Sequence, residues 1–172
     1  MWLDAIYVHV RENHQVVSKA IVIATGLRSD GHREVLGVDV GDSENETFWT
    51  EFLRDLKDRG LAGTRLVISD AHAGLKAAIR RVLQGVAWQR CRVHAMRNLL
   101  SVARHQHRHV IAALIRTIFA QPDGPSARAQ LRSVVDQLET IAADRRYIAA
   151  ASVAVLLDDD TELPSLPAAP RT

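Results

Sequence analysis

Runs of β-branched and apolar residues, broken by short polar stretches, predict three strands at the start of the chain. These strands are predicted over residues 3–10, 15–26 and 33–40. Polar turns at residues 11–14 and at Asp30-Gly31 separate them, and two connections this short imply an antiparallel meander. The run from Ala20 to Ala24 is entirely apolar, which predicts that the second strand is buried on both faces.

The pattern then changes to helical spacing. Ser43 and Glu46 fit a capping box, in which Ser43 is the N-cap and Glu46 reaches back to it. Apolar residues recur at helical intervals as far as Leu56, and Gly60 ends this helix. Further along the chain the pattern predicts strands over residues 64–69 and 86–90, and helices over residues 73–83, 93–104 and 110–119.

The predicted order of elements is β-β-β-α-β-α-β-α, followed by more helix. This order indicates the α/β class and favours a ribonuclease H-like fold, a mixed sheet with helices on both faces. The alternative within the class, a doubly wound dinucleotide-binding fold, requires a glycine-rich turn after its first strand. The sequence contains neither G-x-G-x-x-G nor a P-loop, so a nucleotide-binding fold is not expected.

Length and composition are those of one compact domain. The chain has 172 residues, of which 47% are hydrophobic and 24% charged. No apolar stretch approaches the roughly 20 residues that cross a bilayer, and the N-terminus does not read as a secretory signal. Cys91 is the single cysteine, which excludes a disulfide framework. We therefore expect a cytoplasmic protein without a membrane partner.

Charge is unevenly distributed, although the formal net charge is only +2. Between Asp70 and Asp123 the chain carries nine lysines and arginines, five histidines and no acidic residue. Such a basic segment favours a polyanionic partner, above all nucleic acid. The alternative is that its arginines only cover a solvated helix surface.

Two carboxylates occupy special places in the predicted order. Asp4 lies in the first strand and Asp70 ends the fourth. These strands are neighbours in a ribonuclease H-like sheet, so the two side chains can converge, and a divalent cation relieves the repulsion between close carboxylates. Oxygen ligands favour Mg²⁺ or Mn²⁺, which serve phosphodiester displacement. The alternative is that Asp4 is a surface strand residue and Asp70 a helix N-cap. Asp39 and Asp42 stand at a turn and a helix start, and we interpret both as structural.

Cys91 and His94 form a C-x-x-H motif at the start of the basic helix. A cysteine and a histidine at this spacing can bind zinc, but a structural zinc site needs four ligands. Since the chain has no second cysteine, we interpret both as structural groups or neighbours of the acidic site rather than as zinc ligands.

Three stretches resemble the Mutator-like family of bacterial insertion-sequence transposases. They are residues 33–41 with the aromatic positions that follow, residues 60–79, and residues 88–100, which look like the C-x-x-H signature of the family. The similarity runs from Leu3 to about Gln137.

This resemblance implies a DDE-type transposase that cleaves and joins DNA with Mg²⁺ or Mn²⁺. Asp4 and Asp70 match the first two acidic residues of the family, which implies catalytic and metal-binding roles, and Cys91 and His94 match its signature beside the site. The implied partners are insertion-sequence ends and target DNA, and the intact family implies a homo-oligomer. Four arginines are expected to face the DNA backbone: Arg90, Arg92, Arg97 and Arg104.

The sequence departs from the family pattern near both ends. We expect it to lack the helical DNA-binding region that precedes the first strand in the family, and no residue matches the third acid, a glutamate. We expect a partial catalytic core over residues 1–104, the start of an inserted helical segment over 105–138, and a divergent, partly disordered tail over 139–172. The predicted function is that of a transposase truncated at both ends and catalytically incomplete. The alternative is an inactive remnant that binds DNA or an intact transposase.

Overall fold

A computed structural model describes the backbone of residues 1–143 and the side chains of residues 1–138. The strands of this part are β1 (Trp2–Glu12), β2 (Gln15–Leu27), β3 (Arg33–Gly41), β4 (Leu66–Ser69) and β5 (Ala87–Arg90). Its helices are α1 (Glu46–Asp58), α2 (Ala73–Val82), α3 (Arg92–Val102), α4 (Arg108–Phe119) and α5 (Gly124–Ala143), with a 3₁₀ turn at His105–His107. The predicted element order is confirmed. The predicted tail lies outside the described residues beyond position 143.

The five strands form one mixed sheet in the order β3-β2-β1-β4-β5. β1 and β2 pair antiparallel along their whole length, and Asn13 and His14, with φ of 49° and 64°, close the hairpin in the left-handed conformation that a two-residue turn needs. β3 pairs antiparallel with β2, which confirms the predicted meander. β4 joins the other edge of β1 in parallel, with Trp2 opposite Ile68.

Contacts divide the chain into two compact units, Met1–Gln89 and Arg90–Thr172. The core of the first unit lies on one face of the sheet, where side chains of β1 and β2 meet the apolar stripes of both helices of this unit. Its buried members include Leu3, Val22, Ala24, Trp49, Phe52, Leu53, Leu56, Leu75, Ala78 and Ile79. Within this unit the helices therefore cover a single face, and the predicted cover on both faces is not found there.

Strand β2 shows the consequence of this one-sided packing. Ala20, Val22 and Ala24 are fully buried, whereas Ile21 and Ile23 on the opposite face are only half-buried. The prediction that both faces of this strand are buried is wrong, because neither α1 nor α2 packs on the second face.

Helix α1 shows one error and one success of the capping predictions. Its N-cap is Asn45, whose Oδ1 accepts a hydrogen bond from the Phe48 backbone N–H at 3.0 Å, so the prediction of Ser43 as N-cap is wrong. Glu46 forms an ion pair with Arg81 of α2 at 2.7 Å. At the other end Gly60 has a φ of 102° and closes a Schellman motif, as predicted.

The second unit is helical over its described residues. Its core joins Leu99 of α3 and Ala103 to Ile111, Ile115 and Ile118 of α4 and to Val134, Val135 and Leu138 of α5. The basic helix α3 thus packs with the two helices that follow it. The predicted domain boundaries at residues 104 and 138 stay predictions. None of the helices in residues 1–143 is long and apolar enough to span a membrane.

Candidate functional site

Asp4 lies on the sheet face opposite the core. Its neighbour Leu3 is only 2% exposed, and because side chains alternate along a strand, Asp4 points away from the core and is exposed. Its Oδ1 accepts a hydrogen bond from the Ala5 N–H at 3.0 Å. This hydrogen bond ties the carboxylate to the backbone of β1.

Asp70 is the first residue after β4 and is half-buried. Its Oδ1 accepts a hydrogen bond from the Ala71 N–H at 2.7 Å. The parallel register sets Trp2 opposite Ile68, and two residues further along each chain come Asp4 and Asp70. Because both residues lie two positions beyond this pair, the register brings the backbone of Asp70 to about the level of Asp4 on the neighbouring strand. The predicted convergence of the pair rests on this placement.

A hydrogen-bonded chain from β5 reaches the backbone beside Asp70. The Trp88 indole N–H donates to the Ser69 hydroxyl at 2.9 Å, and that hydroxyl donates to the Asp70 carbonyl oxygen at 2.8 Å. The Lys76 ammonium of α2 lies 4.6 Å from the centre of the Trp88 ring. Sequence reasoning missed these contacts, although Trp88 opens the stretch that resembles the C-x-x-H signature of the family.

The donor set suits a hard cation. Asp4 and Asp70 offer only carboxylate oxygens, and Mg²⁺ is bound in proteins by one or two carboxylates while it keeps several waters. Over the side chains of residues 1–138, no group of three or more His, Cys, Asp or Glu residues is placed to hold a metal ion. The pair therefore fits one Mg²⁺ or Mn²⁺. Glu139 and the acids beyond it lie outside the described side chains.

Cys91 and His94 lie at the first turn of α3. Cys91 is the N-cap residue, half-buried, with a free thiol that makes no capping hydrogen bond. His94 is also half-buried. No further ligand set surrounds them within the described side chains, and their role beside the site stays a prediction.

Three of the four predicted DNA-facing arginines are exposed. They are Arg92 and Arg97 on α3 and Arg104 just after it. Arg90, at the end of β5, is only 9% exposed. Arg90 is therefore the least accessible of the four, and the DNA-facing role of these arginines stays a prediction.

Asp42 belongs to an ion-paired cluster around Lys19 of β2. The Lys19 ammonium lies 2.7 Å from an Asp42 carboxylate oxygen and 2.8 Å from one of Glu12. The hydrogen bond from Lys19 holds the pKa of Asp42 below its ordinary value, and both carboxylates raise the pKa of Lys19. These contacts support the structural interpretation of Asp42.

The strand order and the acidic pair define an α/β protein with a mixed sheet, one carboxylate on β1 and another directly after the neighbouring β4. The chain belongs to the Mutator family of transposases, since the family model described as "Transposase, Mutator family" matches residues 1–160. The resemblance drawn from the sequence is confirmed.

Curated relatives agree with this family. The chain is 44% identical over 135 residues to the transposase for insertion sequence element IS1081 of Mycobacterium tuberculosis, a match that covers 78% of this chain and 32% of the relative. It is 42% identical over 137 residues to the transposase for IS256 in transposon Tn4001 of Staphylococcus aureus, covering 79% of this chain and 35% of the relative. It is 43% identical over 136 residues to the transposase for IS406 of Burkholderia multivorans, covering 78% and 35%. The chain thus spans about a third of the length of the curated relatives it matches.

Proposed function

We propose that this chain forms part of the metal-dependent catalytic core of an insertion-sequence transposase with a ribonuclease H-like sheet. The observation that carries the proposal is the strand order β3-β2-β1-β4-β5 with Asp4 on β1 and Asp70 directly after β4. Membership of the transposase family supports the reaction class, DNA cleavage and strand transfer.

Asp4 and Asp70 would hold one Mg²⁺ or Mn²⁺. When bound, such an ion neutralises phosphate charge and makes a water or a DNA 3′-hydroxyl a better nucleophile at neutral pH. Each of the two carboxylates accepts a backbone N–H from the residue that follows it, which limits its rotation.

Arg92, Arg97 and Arg104 would contact the DNA backbone. They are exposed and lie in a segment without acidic residues, so their charge is not cancelled by neighbours in the sequence. Contacts to phosphates give affinity without reading the base sequence. That affinity falls as salt rises, because binding releases counterions from the DNA and this release is less favourable at high salt.

A second candidate function, a module that binds DNA but does not cleave it, is favoured by the count of carboxylates. DDE chemistry by two ions about 3.5–4 Å apart requires ligands on both ions. Within the described side chains the acidic pair has no third His, Cys, Asp or Glu companion that completes such a site. The second ion would then depend largely on water ligands and bind weakly.

Binding of Mn²⁺ tests the metal site directly. We expect the chain to bind Mn²⁺, as measured by the loss of the free-ion electron paramagnetic resonance signal, and both Asp4→Asn and Asp70→Asn to abolish that binding. Asp39→Asn is the matched control, because Asp39 also accepts the N–H of the residue that follows it, at 2.7 Å. Equal Mn²⁺ binding by all four proteins would refute the site.

Strand cleavage and strand transfer of insertion-sequence ends distinguish the two functions. We expect the chain alone to bind duplex DNA without cleaving it in Mg²⁺ or Mn²⁺. Cleavage that disappears in Asp70→Ala would show instead that the chain supplies a third acid, with Glu139, Asp144 and residues 158–160 as the first to test.

A further inference from the structure

We propose that Ser69 and Trp88 are positioning residues that hold the Asp70 carboxylate ready for a divalent cation. This inference rests on the proposed function, because it concerns the same acidic site. It starts from the short hydrogen bonds that link the β5 indole, the β4 hydroxyl and the backbone of Asp70.

The direction of this chain of hydrogen bonds follows from its chemistry. An indole nitrogen can only donate, so the Trp88 N–H must give its hydrogen to the Ser69 oxygen. The Ser69 hydrogen is then left for the Asp70 carbonyl, 2.8 Å away. Ser69 is only 1% exposed, so water does not compete easily for either bond.

The peptide group between Asp70 and Ala71 connects this chain to the carboxylate. One side of that planar group carries the Asp70 carbonyl oxygen, which the Ser69 hydroxyl binds. The other side carries the Ala71 N–H, which donates to Asp70 Oδ1 at 2.7 Å. Holding the carbonyl therefore sets the direction of the N–H, and the N–H in turn orients the carboxylate.

Lys76 adds a second restraint from helix α2. Its ammonium stands 4.6 Å from the centre of the Trp88 ring, within the range of a cation–π interaction. The indole of β5 is thus also held by α2, the helix that follows the connection carrying Asp70. A ring fixed in this way gives its N–H one direction, toward Ser69.

The test compares Ser69→Ala, Trp88→Phe and their double variant with the parent chain by two measurements. Ser69→Ala removes the hydroxyl, and Trp88→Phe removes the indole N–H but keeps an aromatic ring beside Lys76. Trp49→Phe is the matched control, because the buried Trp49 Nε1 makes no hydrogen bond. The measurements are the dissociation constant for Mn²⁺ and the hydrogen-exchange rate of the Ala71 amide by NMR.

We expect Ser69→Ala to weaken Mn²⁺ binding about 10-fold, the size typical of losing a group that orients a metal ligand. Trp88→Phe should weaken it less, and the double variant should match Ser69→Ala within about twofold, because the indole acts only through the hydroxyl. Both single variants should exchange the Ala71 amide faster than the parent chain. Trp49→Phe should lower the thermal midpoint without changing either measurement.

Two results would overturn the inference. One is an unchanged Ala71 exchange rate in both variants, which would show that the peptide is held by other contacts. The other is unchanged Mn²⁺ affinity in both variants while Asp70→Asn abolishes binding. If Asp70→Asn itself leaves binding intact, the proposed metal site fails, and Ala71 exchange still decides whether Ser69 and Trp88 hold the peptide. Should Ser69→Ala not fold, Trp88→Phe carries both measurements alone.

Discussion

Replacing Gly74 by alanine should destabilise the first unit, although the same change stabilises most helices. Gly74 is the second residue of α2, and a Cβ at this position would lie 2.8 Å from the backbone nitrogen of Glu46 and 3.3 Å from the carbonyl carbon of Asn45. These atoms belong to the start of α1, which the Asn45 side chain caps. The absent side chain is what lets the two helix starts approach each other.

The expected magnitude is the difference between two opposing effects. Alanine is favoured over glycine inside a helix by about 1 kcal/mol. Forcing an extra carbon into a packed contact costs about 1–3 kcal/mol, and the upper half of this range applies where the neighbour is backbone and cannot rotate away. We therefore expect Gly74→Ala to lower the free energy of unfolding by about 1–2 kcal/mol.

Urea unfolding measures this change, followed by tryptophan fluorescence and by circular dichroism. All three tryptophans lie in residues 1–89, so fluorescence reports on the unit that contains Gly74. Gly124→Ala is the control, because a Cβ there would meet only the flexible Arg128 side chain at 3.5 Å, an ordinary contact. A Gly74→Ala chain as stable as the parent, or more stable, would refute the close approach of the two helices.

Three further predictions concern DNA, zinc and pH. Arg97→Ala should weaken duplex binding and reduce the slope of log affinity against log salt by about 1. Arg54 is an exposed arginine in the acidic segment, so Arg54→Ala should change neither the affinity nor the slope. Equal slopes for the two variants in filter-binding titrations would contradict this prediction. Protein purified without added metal should contain far less than one zinc per chain by elemental analysis, and stoichiometric zinc that disappears in Cys91→Ser would overturn the interpretation of the C-x-x-H motif. The Lys19 ammonium holds the pKa of Asp42 below its ordinary value of 3.8. The ion pair between these two residues therefore stabilises the folded chain above about pH 4, and this stabilisation is lost as the pH falls through the lowered pKa. Asp42→Asn should therefore unfold at lower temperature than the parent at neutral pH and at the same temperature in strong acid, and a stability difference independent of pH would contradict the ion pair.

The sequence by itself determined the elements and their order, because these depend on short-range patterns. Alternation and helical spacing predicted the five strands and helices α1 to α4, whereas α5 was expected only as further helix without bounds. Gly60 was recognised as a helix end from its own conformational freedom. The same order placed Asp4 and Asp70 on strands that the structure finds adjacent and parallel. Their placement was predictable because a chain of short connections leaves few ways to order a sheet.

Only the tertiary structure decided which groups those elements bring together. Ser43 and Asn45 are both good cap residues, and the choice of Asn45 depended on where the chain enters α1. Arg90 lies in the basic segment of the sequence, but the tertiary structure buries it at the end of β5. The bond from Trp88 to Ser69 joins side chains 19 residues apart, on different strands, so no local pattern indicates it. Periodicity specifies which residues share a face of a helix or strand. What packs on that face depends on contacts between segments that are distant in the sequence. The contacts around the proposed acidic site depend on such distant segments, so only the tertiary structure shows them.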